Sequence, residues 1–325
     1  MEKKIAKKYI DEEIEVLKRA DSGARTLASV SRNLNKLALN NELAPVFSRE
    51  KEVEDICKLL LRRTKPNAML IGVAGCGKTA IVEALAIHIA NQKVKYLSDC
   101  AAADRKYEKS LSNFEPESGM EPPAKIEVPK PPLCDTIIYD LSMNSLVAGT
   151  KYRGEFEDKL NNVISECRRN PNIVLFIDEI HQMNVIGGSE GCSSMGQILK
   201  PALARAEIRV IGATTIDEST ILKKDKALSR RFSDCNIIPL SGAAAVNTAE
   251  LILADYEKFH GVVVNNMTGE NILEMVNYYI GGVFPNNFID VVDEAMSGAK
   301  FDGKAVIGID EIKETISRLS GKVIM

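Results

Sequence analysis

Residues 69–79 read MLIGVAGCGKT: an apolar run, a turn holding Gly72, Gly75 and Gly77, then Lys78 and Thr79 at the head of a helical stretch. Residues 72–79 fit G-x-x-x-x-G-K-[ST], and they sit between a strand and a helix, the only context in which that spacing has a mechanism. Such a turn wraps backbone N–H groups around phosphates, and the helix behind it adds the positive end of its dipole. Gly72, Val73, Ala74, Gly75, Cys76 and Gly77 are the candidate cradle. Lys78 is placed to meet the β- and γ-phosphates of ATP, and the Thr79 hydroxyl to ligate Mg²⁺. Any small residue serves at position 76, so the cysteine there is assigned no chemistry of its own. A strand, this turn and a helix in succession restrict the fold to an α/β sheet with helices packed on it.

The rest of the chain agrees. Apolar runs at 69–72, 136–141, 172–178, 208–214 and 236–240 predict five strands, and they alternate with helical patterns at 50–63, 78–91 and 155–169. Continuous apolar strands between helices imply a parallel sheet covered on both faces. From residue 241 the pattern is helical only, at 243–260, 269–280, 286–297 and 310–319. At the other end, residues 3–20 form a charged amphipathic pattern, and a second helical stretch runs to about residue 40. The polar, proline-rich stretch 99–132 is expected to be a mobile surface insertion. The expected division is an N-terminal helical extension over 1–33, a large domain over 34–240, and a small helical domain with a tail over 241–325.

Composition narrows the function classes. Net charge is −3, Trp is absent and aromatics make up 5% of the 325 residues, so neither a broad positive field nor a base-stacking surface is expected. No apolar run reaches membrane-spanning length, and the charged N-terminus has no secretory core. The seven cysteines form no CxxC pair, as expected of free thiols in the reducing cytoplasm.

Further candidates lie at the ends of later strands. IVLFIDE, residues 173–179, ends an apolar strand in Asp178 and Glu179. Asp178 is the candidate Mg²⁺ ligand and Glu179 the general base for an attacking water; taken alone, the pair reads equally as a helix cap. Thr214 and Thr215 close the fourth strand and could reach the γ-phosphate or that water. Arg230 and Arg231 read either as a solvated basic pair or as arginine fingers that stabilise charge on a transferring phosphoryl group.

Taken together, LLLRRTKPNAMLIGVAGCGKTAIVEALA (59–86), LVAGTKYRGEFEDKL (146–160), NIVLFIDEIHQM (172–183), LKPALARAEIRVIGATTIDE (199–218) and KDKALSRRFSDCNI (224–237) resemble the AAA+ module of the Clp unfoldases, and most closely the first ATPase module of ClpB, ClpA and ClpC. The resemblance implies a P-loop NTPase of the AAA+ kind: an α/β large domain with a five-stranded parallel sheet, and a small helical lid. It implies Walker A residues Lys78 and Thr79, Walker B residues Asp178 and Glu179, sensor 1 at Thr215, and arginine fingers Arg230 and Arg231 that act on a neighbouring subunit. It also implies that Lys151, Tyr152 and Arg153 form a pore loop whose aromatic grips unfolded polypeptide inside a homohexamer, with a second pore loop at 186–194.

Departures accompany the match. The family's double-repeat N-terminal domain, coiled-coil middle domain and second ATPase ring have no counterpart in the sequence. Ser48 in VFSR stands where the family has glycine near the adenine. Asn286 and Asn287 in FPNNFID replace the family's Asp and Lys, which puts a basic lid contact in doubt. The function implied is an ATP-driven polypeptide unfoldase, with any protease or Clp partner left unnamed. The competing readings are a nucleic-acid-linked loader or replication factor, against which charge and motif detail argue, and a regulatory subunit of a larger Clp machine.

Overall fold

The computed structural model describes residues 2–113, 123–148, 153–184 and 195–324. Helix α1 (Glu2–Gly23) and the short α2 (Arg25–Val30) lead into β1 (Ser31–Asn33), α3 (Leu34–Leu39) and α4 (Glu50–Leu60). The second helical stretch expected up to residue 40 is therefore broken by an edge strand. Asp21 explains where: its carboxylate accepts hydrogen bonds from the Asn33 side-chain amide at 2.9 Å and the Tyr139 hydroxyl at 2.7 Å. Ala24, Leu27 and Val30 are buried in the same core as the sheet, so packing continues across residue 33.

The phosphate-loop strand β2 (Ala68–Ile71) is followed by α5 (Lys78–Ser112), then β3 (Ile137–Leu141), α6 (Met143–Val147), α7 (Arg153–Arg169) and β4 (Ile173–Ile177). After a 3₁₀ turn (Ile180–Asn184) come α8 (Met195–Ala204), β5 (Arg209–Thr214), α9 (Ile216–Lys224), α10 (Lys226–Ser229) and β6 (Ser233–Asn236). The sheet order is β1-β3-β4-β5-β2-β6. β3, β4, β5, β2 and β6 are parallel, and β1 is added antiparallel to β3.

Alternation along each strand divides the core between the two faces. Tyr139, Leu175, Ile177 and Val210 pack with α7 and α8, while Leu70, Ile138, Phe176 and Ile211 pack with α4 and α5. All five residues of β4 are buried, as a central parallel strand requires.

Two sequence expectations are corrected here. The fifth strand is Ser233–Asn236, not the apolar run 236–240. β6 is the sheet edge, so only every second side chain turns inward and a polar run suffices. The helix after the phosphate loop does not stop near residue 91. It continues unbroken to Ser112, 35 residues or ~52 Å at 1.5 Å per residue, so the described first part of the expected mobile insertion is helix. Its buried residues end at Ala90, and beyond that point the helix rests on strong helix formers such as Ala, Lys, Glu and Leu.

From Gly242 onward α11 (Gly242–His260), α12 (Gly269–Tyr279), α13 (Asn286–Phe301) and α14 (Ile309–Ser320) pack around Ile272, Phe288, Val292 and Ile316. This part is not wholly helical: β7 (Val263–Val264) and β8 (Val306–Ile307) pair in parallel. Among the described residues no helix is long and apolar enough to cross a membrane.

Candidate functional site

The phosphate loop leaves the C-terminal end of β2 and turns into α5. Gly75 (φ +79°) and Gly77 (φ +90°) adopt the left-handed backbone that side chains resist, and Gly77 is the N-cap of α5. The loop amides and the first turn of a long helix therefore face the same space. Lys78 reaches back along the loop, its Nζ donating to the carbonyls of Gly72 at 2.9 Å and Val73 at 3.0 Å.

β4 ends one strand away from β5 and two from β2, and it delivers Asp178 and Glu179 to the same edge. The Thr79 hydroxyl donates to Asp178 Oδ2 at 2.6 Å, so these two residues, ninety-nine positions apart, meet side by side. Their oxygen donors suit a hard cation such as Mg²⁺. The other Asp178 oxygen accepts the Glu179 amide at 2.9 Å. Glu179 itself has φ +49°, a conformation costing about 1–3 kcal/mol for a non-glycine residue and met most often at functional sites. Ile180, fully buried, explains the turn. Its Cδ1 lies where a Cβ on Gly212 would be, only 2.5 Å away, so glycine on β5 admits Ile180 to the core and leaves Glu179 on the solvent side.

Thr214 and Thr215 occupy the adjacent strand end. Thr214 is buried, and its hydroxyl lies 3.3 Å from His181 Nδ1. Thr215 is the N-cap of α9 in a reciprocal capping box: its hydroxyl donates to Glu218 Oε2 at 2.6 Å and accepts from the Glu218 amide at 3.3 Å. That hydroxyl, then the charges of His181 and Lys78, hold the Glu218 carboxyl below the usual carboxylate range against the opposing effect of burial. His181 Nε2 stands 3.1 Å from Glu218 Oε1 and 3.5 Å from Glu179 Oε2. Sequence reasoning passed over both His181 and Glu218. The T-x-x-E spacing of a capping box was the one available signal.

Arg49 was also missed as a site residue. Only 4% exposed, it donates to the carbonyl of Cys76 at 2.9 Å and of Ile238 at 3.0 Å, and pairs with Glu52 at 2.6 Å. It braces the phosphate loop from behind. Beside it Ser48 has φ +56°, which accounts for glycine as the family's residue there, and its hydroxyl accepts a hydrogen bond from Thr248 of α11 at 2.8 Å.

Between these elements a cleft of about 120 Å³ is lined by Pro45, Val46, Phe47, Gly77, Ile252, Tyr256 and Ile289. Its lining is mostly apolar and includes Cys76 and Gly77 of the loop, a composition that suits a nucleobase beside the phosphates. The larger cleft of 770 Å³ between α4 and α5 includes no residue of 72–79. The lid approaches the loop closely, and a Cβ on Gly75 would lie 3.1 Å from Asn286 Cβ. Asn287 turns away into the lid, its amide donating to the Gly281 carbonyl at 2.7 Å, so no base stands in for the family's lysine.

Arg230 and Arg231 are not part of this cluster. They precede β6, whose Ser233 pairs with Ala68 at the start of β2, while the phosphate loop leaves the other end of β2. Four residues of strand, about 13 Å, separate the two edges. Both arginines are exposed, and neither side chain has a partner among the described residues. Their turn is fixed by Asn67, whose side chain donates to the Arg231 carbonyl at 3.0 Å and accepts from the Val210 amide at 2.8 Å. Asn67→Ala would orphan that buried amide. We expect a loss of ~2 kcal/mol, read as a lower denaturant midpoint with unchanged slope; an unaltered midpoint would show the turn to be held by other contacts. Lys151, Tyr152 and the second pore-loop segment 186–194 lie outside the described residues, and Arg153 opens α7.

Comparison with known proteins agrees with this geometry. The family model for the "ATPase family associated with various cellular activities (AAA)" matches residues 68–240, and the AAA lid domain model matches 241–323. The chain is 37% identical over 298 residues to the chaperone protein ClpB of Aquifex aeolicus, covering 90% of this chain and 26% of that protein. It is 38% identical over 280 residues to the negative regulator of genetic competence ClpC/MecB of Bacillus subtilis, covering 86% and 30%. The S. cerevisiae Hsp104-ADP complex superposes with a TM-score of 0.71 at 29% identity, covering 91% of this chain and 46% of that one. A complex of Hsp104 with casein gives 0.69 at 28% identity, covering 91% and 45%. The chain thus spans roughly a quarter to a third of the curated relatives it matches. With a phosphate loop at the end of β2, a carboxylate pair at the same end of β4 and a helical domain packed against the loop at Gly75, this chain belongs to the AAA family of ATPases.

Proposed function

We propose that the chain hydrolyses ATP and uses the energy to unfold or remodel polypeptides as a ring of six copies. The observation that carries the reading is the placement of its charged groups. Lys78, Thr79, Asp178 and Glu179 meet at one sheet edge, while Arg230 and Arg231 stand exposed at the opposite edge. Arginines so placed stand away from the chain's own phosphates and would serve the nucleotide of a neighbouring copy, as a head-to-tail ring allows.

In this reading the loop amides and Lys78 bind the β- and γ-phosphates, and the apolar cleft beside Phe47 and Tyr256 takes the base. Thr79 and Asp178 are the residues that would hold Mg²⁺, which would offset negative charge on the phosphates. Glu179 accepts a proton from water as that water attacks the γ-phosphorus, giving ADP and inorganic phosphate. Arg230 and Arg231 of the adjacent copy stabilise charge on the transferring group. A cytoplasmic setting belongs to the same reading, since the six cysteines among the described residues are all free.

The polypeptide substrate rests on the KYRGEFE match and on the named activity of the relatives. An aromatic flanked by Lys151 and Arg153 packs on a peptide of almost any sequence. Tyr152→Ala is expected to leave ATP turnover within about twofold and to slow unfolding of a fluorescent protein substrate by at least tenfold, roughly the cost of losing an aromatic hot spot. Unchanged unfolding with unchanged turnover would remove polypeptide threading from the proposal. Stimulation of turnover by DNA with steep salt dependence would favour a nucleic-acid role instead.

A further inference from the structure

We propose that His181 and Glu218 are positioning residues for Glu179, forming a polar relay that ties the catalytic base to the sensor threonine. The inference rests on the reading of Glu179 as the general base.

Glu179 needs such help. Its side chain is 54% exposed, and a free glutamate carries rotamer entropy that must be removed before the carboxylate can meet one water in one orientation. Two side chains approach its Oε2: Gln182 Nε2 at 3.3 Å and His181 Nε2 at 3.5 Å. Gln182 makes no second side-chain hydrogen bond among the described residues. His181 is held from two further sides, by Glu218 Oε1 at 3.1 Å and the Thr214 hydroxyl at 3.3 Å, and only 15% of its side chain is exposed.

The chemistry of the donors fixes the arrangement. Ionised carboxylates only accept hydrogen bonds, so the ring nitrogen that faces both Glu179 and Glu218 carries a proton. Nδ1, 3.3 Å from the Thr214 hydroxyl, anchors the other side of the ring. Glu218 is itself pinned at the first turn of α9 by the reciprocal bonds to Thr215. The series Thr215, Glu218, His181, Glu179 therefore runs from the end of β5 to the end of β4 through side chains alone. A shift of Thr215 toward a γ-phosphate releases one oxygen of the Glu218 carboxylate, turns the other that faces His181, and through it shifts the carboxylate of the base. His181 moves no proton to substrate; it sets where Glu179 points.

The test uses His181→Ala and Glu218→Gln in the full chain. Glutamine also serves at the third position of a capping box, so Glu218→Gln keeps the α9 cap and removes only the charge that His181 faces. Both variants should keep their melting temperature within about 2 °C and their KM for ATP within about twofold. For His181→Ala, kcat should fall about tenfold, the scale of lost orienting contacts; for Glu218→Gln the fall should be several-fold.

The decisive measurement is single-turnover hydrolysis in a Glu179→Gln background. With the base gone, His181→Ala should change the residual rate by less than about twofold, because residues acting through one another are not additive. An equal loss in both backgrounds, or a wild-type kcat for His181→Ala, would overturn the relay. A wild-type rate for Glu179→Gln alone would instead overturn the reading of the base, so the two failures are distinct.

Discussion

Glu179→Gln is expected to slow ATP hydrolysis by 10²-fold or more while ATP still binds with a Kd within about threefold of the parent, the scale of losing a general base. The substitution is nearly isosteric. Glutamine tolerates the φ of +49° at this position no worse than glutamate does, and its backbone amide can still donate to Asp178. The phosphate contacts of Lys78 and the Thr79–Asp178 pair at 2.6 Å are untouched, so the binding half of the site stays intact. What disappears is the carboxylate that would take the proton from water. The check is single-turnover hydrolysis beside equilibrium binding of a fluorescent ATP analogue. A variant that binds but does not cut should also accumulate as an ATP-bound assembly, and mass in solution should rise about sixfold with ATP. Hydrolysis at the parent rate would take the base role away from Glu179. A monomer under ATP would remove the role of Arg230 and Arg231 in a neighbour's site.

How much of this was legible in the sequence depends on whether burial or contact wrote the signal. β2, β3, β4 and β5 were readable because a strand covered on both faces needs an apolar residue at nearly every position. β6 was not: at the sheet edge SDCN alternates half-buried and exposed, and the apolar run after it belongs to an irregular segment. That segment passes the phosphate loop, with the Ile237 amide donating to the Ile71 carbonyl at 2.7 Å and Ile238 offering its carbonyl to Arg49. The far half of α5 was hidden for the opposite reason. Nothing packs on it strongly enough to impose a helical period, so its polar sequence resembles a loop.

At the site, residues joined by a motif were found and residues joined by tertiary contact were not. Lys78, Thr79, Asp178 and Glu179 each stand in a short pattern with a mechanism. His181 and Glu218 come together only because Gly212 admits Ile180 and turns the 3₁₀ segment over β5. Arg230 and Arg231 were legible as a pair, but their distance from Lys78 follows from the parallel register of β2 with β6, which no linear pattern records.

Arg49 supplies the second large effect. A guanidinium only 4% exposed is held by one carboxylate and two main-chain carbonyls, an arrangement that uses its planar fork of donors. Arg49→Ala strips partners from the Cys76 and Ile238 carbonyls and leaves Glu52, 22% exposed in its side chain, without its cation. Removing one member of a buried pair costs about 3–5 kcal/mol, and Glu52 keeps some access to water, so the expected loss is near the lower end. For a chain of 325 residues, with an unfolding entropy of about 2.1 cal/mol/K per residue, that corresponds to a fall in Tm of roughly 4–5 °C. Arg49→Lys should recover only part of it, since one ammonium on a flexible stem cannot span three acceptors. Glu52→Ala should cost less than Arg49→Ala, about 1–3 kcal/mol, because it leaves the two carbonyl contacts in place. The functional consequence follows from which carbonyl is lost. Cys76 lies inside the phosphate loop, so freeing its peptide loosens the amides that must converge on one phosphate, and ATP affinity should drop about tenfold in Arg49→Ala even at a temperature where the variant is fully folded. If Arg49→Ala melts with the parent and binds ATP equally well, the loop is rigid without its brace.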